Sequence, residues 1–383
     1  MPREPDNIPD ETFRLLLARG LGPVTIAKLT DHFQSFRKVV SASADELARI
    51  HGITARSAAS IRHAITETDP GGERQAMNRV GARLIAYGDD DYPAMLAAIQ
   101  SPPAALWIRG TLQKTDRMAL AIVGSRRCTA YGREQAGRFS SLLAQCGLVI
   151  VSGGAVGIDA EAHRGALRVG GRTIAVMGCG LARCYPSQHA DLFEQIVAAG
   201  GALVSALPMQ SQPKARHFPS RNRIIAGLSL GVLVVEAARR SGALITARRA
   251  GQEQGREVMA LPGRVDSPAS AGCLAAIRDG WAALVGDPTD VLAQLDASSH
   301  LVRGALEAAG HPDARSATTL FAGNLTPAQK AVLAAIEDAQ RPLQVDQIAA
   351  KTGLPVSAIM ADLTLLQIRG RIQKDHEGVR VRR

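Results

Sequence analysis

Apolar positions along this chain follow three different rhythms. From residue 9 to 66 they fit short helices without strands, broken by two glycine turns, Gly20-Leu-Gly-Pro-Val-Thr-Ile26 and Ile50-His-Gly-Ile-Thr-Ala55. From Met118 to about Leu295 they gather into unbroken apolar runs alternating with helix-forming segments. The runs are Ala119–Val123, Leu148–Ser152, Thr173–Met177, Ala202–Ala206, Gly231–Val235, Glu257–Leu261 and Ala282–Val285. They begin roughly 24 to 30 residues apart, the period of strand–helix units in a parallel sheet. Continuous rather than alternating apolar character suits strands covered on both faces. From Leu325 to Arg383 helical spacing returns and ends in two short strand-like runs around a turn.

These rhythms predict an α/β chain of several units. Residues 1–66 are expected to form an all-α helix-hairpin-helix or SAM-like domain, in which a glycine turn can offer N–H groups to a phosphate. Residues 67–117, with Asp69-Pro-Gly-Gly72 and the proline turns Tyr92-Pro93 and Pro102-Pro103, read as a linker and lead-in segment. Residues 118–295 predict a Rossmann-like, doubly wound parallel sheet. Residues 296–324 read as a second linker, and 325–383 as a winged helix of three helices and a hairpin. Its first helix starts at Thr326, with Pro327 at the first helical position. The expected third helix, from Val356 to Arg369, is poor in cations between Pro355 and Gln367. A protein contact therefore fits it as well as base reading does.

Composition narrows the picture little, charge more. The 383 residues are 46% hydrophobic, enough for a sizeable core, and no apolar run reaches membrane-spanning length. Met1-Pro-Arg-Glu-Pro-Asp lacks the pattern of a secretory signal. The five cysteines are odd in number and scattered, which predicts reduced thiols and a cytoplasmic protein. Cys179, Cys184 and His189 lack a second ligand pair, so no metal is expected. The net charge of +10 favours a polyanionic partner. From Gln210 to Val235 there is no acidic residue, while Lys214, Arg216, Arg221 and Arg223 fall within ten positions around Phe218 and Asn222. Cations beside an aromatic ring suit single-stranded nucleic acid; the bland alternative is a solvated face with an anchoring Phe.

The second chemical signal is Val151-Ser-Gly-Gly-Ala-Val-Gly-Ile-Asp-Ala-Glu-Ala-His163. A strand ends in Ser152, Gly153, Gly154 and Gly157, and a helix opens near Asp159, as in a phosphate-binding loop. A parallel sheet binds ligands beyond the carboxyl ends of its strands, where Gly124-Ser125-Arg126 and Glu236 also fall. Asp159 and His163 are expected to organise the loop from behind rather than act in catalysis. Glu236 is expected among the loop organisers, either by orienting a loop arginine or while touching a base or ribose. The helix start Ser241–Ala247, with Ser241 and Thr246, is a further loop organiser. The dinucleotide fingerprint and the Walker loop are both absent, so oxidoreductase and NTP-hydrolysing readings fit poorly.

These motifs, in this order, resemble the DNA processing protein A (DprA, or Smf) family. The resemblance runs through Ile122-Val-Gly-Ser-Arg126, the glycine loop, Tyr185-Pro186, Phe218-Pro-Ser-Arg-Asn-Arg-Ile-Ile-Ala-Gly-Leu-Ser229, Val234-Val-Glu-Ala237, Ser241–Ala247 and Leu261-Pro-Gly263. It implies a cytoplasmic single-stranded DNA-binding protein that protects incoming DNA and loads RecA recombinase during natural transformation. It also implies a homodimer, no membrane, no cofactor and no enzymatic activity. By motif, the DNA contacts it implies are Gly124, Ser125, Arg126, Ser152, Gly153, Gly154, Gly157, Phe218, Arg221, Asn222 and Arg223, with Lys214 or Arg216. The chain departs from the family at Ala206, Leu274 and Trp281, where Glu, Asn and Ala are usual. Two rivals remain. One is a Rossmann-like nucleotide-derivative-binding protein or phosphoribohydrolase, whose Pro-Gly-Gly-x-Gly-Thr-x-x-Glu motif is missing. The other is a transcription regulator using residues 325–383.

Overall fold

The computed structural model of the chain describes residues 7–18, 20–295, 325–339, 341–356, 358–359, 362–363, 366, 371–375 and 378–381. Among them, α1 (Asp10–Leu17), α2 (Pro23–Phe33), α3 (Phe36–Ser41), α4 (Ala44–Ala48) and α5 (Ala55–Thr66) come first. Local chemistry sets their starts: Pro23 opens α2, Ser43 and Glu46 form a capping box on α4, and the Thr54 hydroxyl accepts from Ser57 N. Both glycine turns lie between helices, as expected. Leu15, Leu29, Val39, Leu47 and Ile65 are buried together inside this bundle. Ile8 and Phe13 instead pack with Met77, Trp107 and Phe193, outside it.

Next come α6 (Gly71–Val80), β1 (Ala82–Ala86), α7 (Ala94–Ala97), β2 (Ala105–Gly110), β3 (Ala119–Val123), α8 (Ala130–Gln145), β4 (Val149–Ser152), α9 (Ile158–Arg168), β5 (Thr173–Val176), α10 (Ala190–Ala198) and β6 (Ala202–Ser205). They are followed by α11 (His217–Gly227), β7 (Gly231–Val234), α12 (Gly242–Gln254), β8 (Glu257–Ala260), α13 (Ala271–Arg278) and β9 (Ala283–Leu284). All seven expected strands are present. With β1 and β2 they form one nine-stranded sheet in the order β1-β2-β6-β5-β4-β3-β7-β8-β9. From β6 to β9 every neighbour is parallel. Alternate residues of β3 point to opposite faces: Ala119, Ala121 and Val123 join one buried cluster, Leu120 and Ile122 another. Both faces of the strand are therefore covered, as its unbroken apolar run implies.

Residues 67–117 are built into the fold rather than acting only as linker and lead-in. β1 pairs antiparallel with β2, and β2 pairs antiparallel with β6 through Arg109↔Leu203. Ile85, Leu96, Leu106 and Ile108 enter the same cluster as Val204 and Val232. Short antiparallel strands lack the strand–helix period, so only tertiary pairing reveals them. The chain leaves β3 through β4, β5 and β6, then returns to the opposite side of β3 as β7. That reversal opens a crevice beyond Val123 and Val234.

The C-terminal unit contains α14 (Pro327–Glu337), α15 (Val345–Thr352) and the antiparallel pair β10 (Ile372–Asp375) and β11 (Gly378–Val381). Thr326 and Gln329 form the capping box that starts α14. Much of the expected third helix and all of the 296–324 linker lie outside the described residues. Ile359, Leu363 and Leu366 are buried with Val332, Ile348 and Val379. Among the described residues no helix is long and apolar enough to cross a membrane.

Candidate nucleic-acid interface

Three loops meet beyond the carboxyl ends of β3, β4 and β7, and backbone bonds lock them together. Ile158 N donates to Ser125 O at 3.2 Å, and Ser125 N donates to Glu236 O at 2.7 Å. Gly157 has φ 85° and Gly154 φ 65°, both in the left-handed region. A Cβ on Gly157 would lie 2.8 Å from Arg126 O, and one on Gly153 would lie 2.6 Å from Asp159 Oδ2. Close approach of protein to protein thus demands these glycines. Gly124 is similarly confined, with Glu236 O 2.9 Å from where its Cβ would stand.

Buried polar groups brace the loops from behind. Asp159 Oδ2 accepts from Ala155 N at 3.4 Å, and burial holds its carboxyl above the usual carboxylate range against the pull of Arg221. The Thr173 hydroxyl donates its one proton to Ile150 O at 2.7 Å, so Nδ1 of the fully buried His163 must be the donor in their 2.7 Å contact. Burial, with His189 and Arg221 nearby, pushes His163 down to about 3, leaving it neutral. His189 Nδ1 lies 3.0 Å from Gly154 O. Ser152, expected beside the ligand, is buried and donates to Ile122 O at 2.6 Å. Glu236, expected to organise the loops, ties them through Thr129 rather than through an arginine. Its carboxylate accepts from Thr129 N and Thr129 Oγ1, both at 2.7 Å, and so fixes the start of α8. The Ser241 hydroxyl caps α12 by accepting from Ala243 N at 3.2 Å, and Thr246 Oγ1 donates to Gly242 O at 3.3 Å.

In front of these braces lies an open cleft of 570 Å³, lined by Gly124, Ser125, Arg126, Asp159, Tyr185, Phe218, Arg221, Asn222, Ile245 and Thr246, among others. The half-buried Phe218 ring packs over Gly178, where a Cβ would meet it at 2.8 Å. The exposed Arg126 guanidinium stands 5.0 Å from the centroid of that ring, and the Tyr185 ring lies 5.8 Å from it at 53°. Tyr185 and Ile245 lie within motifs that carry the family resemblance but are not among the residues expected to touch the ligand. The signal for Tyr185 is the Tyr185-Pro186 motif itself.

The four cations of residues 214–223 divide by position. Lys214 and Arg216 are exposed on the approach to α11 and, like Arg126, form no ion pair among the described residues. Arg221 is only 5% exposed; Nη1 donates to Val176 O at 2.6 Å and to Gly153 O. Burial lowers it to about 10, partly offset by Asp159. Arg223 turns away from the cleft and donates to Ser101 O. Two of the arginines expected to contact DNA, Arg221 and Arg223, therefore have their guanidinium groups engaged by backbone carbonyls.

A doubly wound sheet whose open cleft presents an aromatic ring, a capped helix start and a guanidinium that forms no ion pair among the described residues belongs to the class of α/β proteins with a ligand cleft at the carboxyl ends of their strands. Residues 83–296 match the family model for DNA recombination-mediator protein A, residues 14–67 a SAM-like helix-hairpin-helix tandem, and residues 312–378 the DprA winged helix domain. The chain is 36% identical to Protein Smf of Synechocystis sp., over 95% of this chain and 96% of that protein. It is 42% identical to Protein Smf of Escherichia coli, over 78% of each. DNA processing protein A (DprA) of Streptococcus pneumoniae matches in structure with TM-score 0.65 and 36% identity, over 75% of this chain and 98% of that one. The chain belongs to the DprA/Smf family of DNA recombination mediators.

Proposed function

We propose that this chain binds single-stranded DNA in the Phe218 cleft, protects it, and presents it to RecA recombinase from a cytoplasmic homodimer during natural transformation. The observation that carries the reading is the exposed Arg126 stacked on the Phe218 ring at the mouth of an open cleft. Stacking bases and cations that meet the backbone are the two requirements of single-strand binding, and Tyr185, Lys214 and Arg216 supply more of each. Arg221, Asp159, His163 and Ser152 hold the cleft's shape, and Arg223 ties α11 to the lead-in strands. Asn222, on the cleft wall, is the group placed to bond a base edge. Asp159 and His163 are accounted for by bracing, so the protein acts as an adaptor without turnover. Phosphoribohydrolase assays should accordingly give background rates.

The test is binding of single- against double-stranded oligonucleotides by the full chain and by a chain ending before residue 325. Both should prefer the single strand, and Phe218→Ala should cost about 1–3 kcal/mol with little change in salt dependence. Binding lost with residues 325–383, in a protein still folded, would move the site to the winged helix. RecA filament formation on protein-coated DNA tests the loading step.

A further inference from the structure

We infer that the bound strand runs on from the Phe218 cleft to a second ledge, built by the segments that follow β3, β7 and β8. There Val265 and Tyr131 support bases while Arg127, Arg239 and Arg240 hold phosphates. The inference rests on the single-strand reading above. Val265 is 91% exposed, the most of any large apolar side chain described. Its loop is braced: Arg264 Nε and Nη2 meet Asp266 Oδ1 and Oδ2 at 3.0 and 2.8 Å across it, and Ser267 N closes the turn on Arg264 O at 3.1 Å. The valine is thereby presented outward rather than left to fold back. Tyr131, 44% exposed, donates from its hydroxyl to Pro262 O at 3.2 Å, which joins the start of α8 to the same loop. Gly272 N donates to Ala237 O at 2.8 Å and joins it to the loop after β7.

Because β3, β7 and β8 are consecutive neighbours, their carboxyl-end loops lie side by side. Two strand spacings are about 10 Å, so the ledge adjoins the cleft within the reach of one continuous strand. Arg264 and Asp266 neutralise one another, whereas the exposed Arg127, Arg239 and Arg240 form no ion pair among the described residues. Three unpaired cations select a polyanion. Apolar and aromatic side chains among them select one whose bases are free to be touched, a single strand rather than a duplex.

The experiment is anisotropy of labelled oligothymidylates with the full-length chain, its Val265→Asp variant and its Arg239→Ala/Arg240→Ala variant. One oligonucleotide is of about 4 nucleotides, filling the cleft alone, and one of about 12. Both variants should bind the short strand as the wild type does and lose at least fivefold on the long one. The double variant's salt slope on the long strand should fall by about 1.4, for two lost contacts. Unchanged binding of the long strand, or equal loss on both lengths, overturns the ledge. So does a change of molecular mass in Val265→Asp by light scattering, which would assign the valine to a contact between copies. A wild-type chain that binds neither strand sinks the cleft reading and the ledge together, and needs no variant to be recognised.

Discussion

Arg221 and Arg126 carry the same charge and sit near the same aromatic ring, yet their surroundings give them different work. The guanidinium of Arg221 is enclosed, satisfies the carbonyls of Gly153 and Val176 and offsets the buried Asp159. Removing it leaves two unbonded carbonyls and a lone buried carboxyl, so Arg221→Ala should lower stability by about 3 kcal/mol. Arg126 is exposed, and Arg126→Ala should leave stability within about 0.5 kcal/mol. Its salt slope for single-stranded DNA should nevertheless fall by about 0.7, one phosphate contact. Urea titrations paired with salt titrations separate the two effects. Equal losses of stability in both variants would show that Arg221 is not the brace described. Trp281, one of the family departures, also finds a local reason, because Arg248 stands 5.1 Å from its ring centroid.

Helix α6 shows how an element outside the expected sheet domain controls the cleft's lip. Its Glu73 is buried and accepts from Met209 N at 2.8 Å, anchoring the segment between β6 and α11 that leads to Phe218. The Trp107 indole approaches the same carboxyl without meeting hydrogen-bond geometry. Desolvation is the main cause that raises Glu73 to about 7, opposed by the Met209 bond. Between about 4.5 and 7 the folded chain therefore keeps a proton that the unfolded chain releases. The associated stability is present below pH 4.5 and lost as pH rises through 7. Glu73→Gln keeps an acceptor for Met209 N and removes the ionisation, so its urea midpoint relative to wild type should rise between pH 5 and pH 8. A constant difference across that range would mean the carboxyl is not desolvated.

At the scale of the molecule, the sheet domain depends on its lead-in. A chain beginning at Met118 would leave β6 as a bare edge and strip Leu96, Leu106 and Ile108 from the core that holds Val204 and Val232. Such a chain should fail to fold or should aggregate. A chain beginning at Gly71 should stay folded, with cooperative melting by circular dichroism as the measure. A cooperative transition in the shorter chain would show that β1 and β2 are accessory. The family model's match from residue 83 accords with a core that includes both strands.

The seven parallel strands were legible because burial on both faces forces unbroken apolar runs at a fixed period, and Thr326 was legible because capping is chemistry between near neighbours in sequence. The glycine loop, Phe218 and Arg126 were legible as motifs, since residue type alone limits what they can do. Where side chains end up was not legible. Arg221, two positions from Arg223, faces the glycine loop while Arg223 faces Ser101, and Ser152 spends its hydroxyl on Ile122. Glu236 reaches Thr129, which is 107 residues away in sequence. Sequence pattern records periodicity and residue chemistry, both local properties. Which carbonyl a buried cation meets, and which short strand closes the sheet, depend on segments far apart in the chain, and only tertiary packing brings those together.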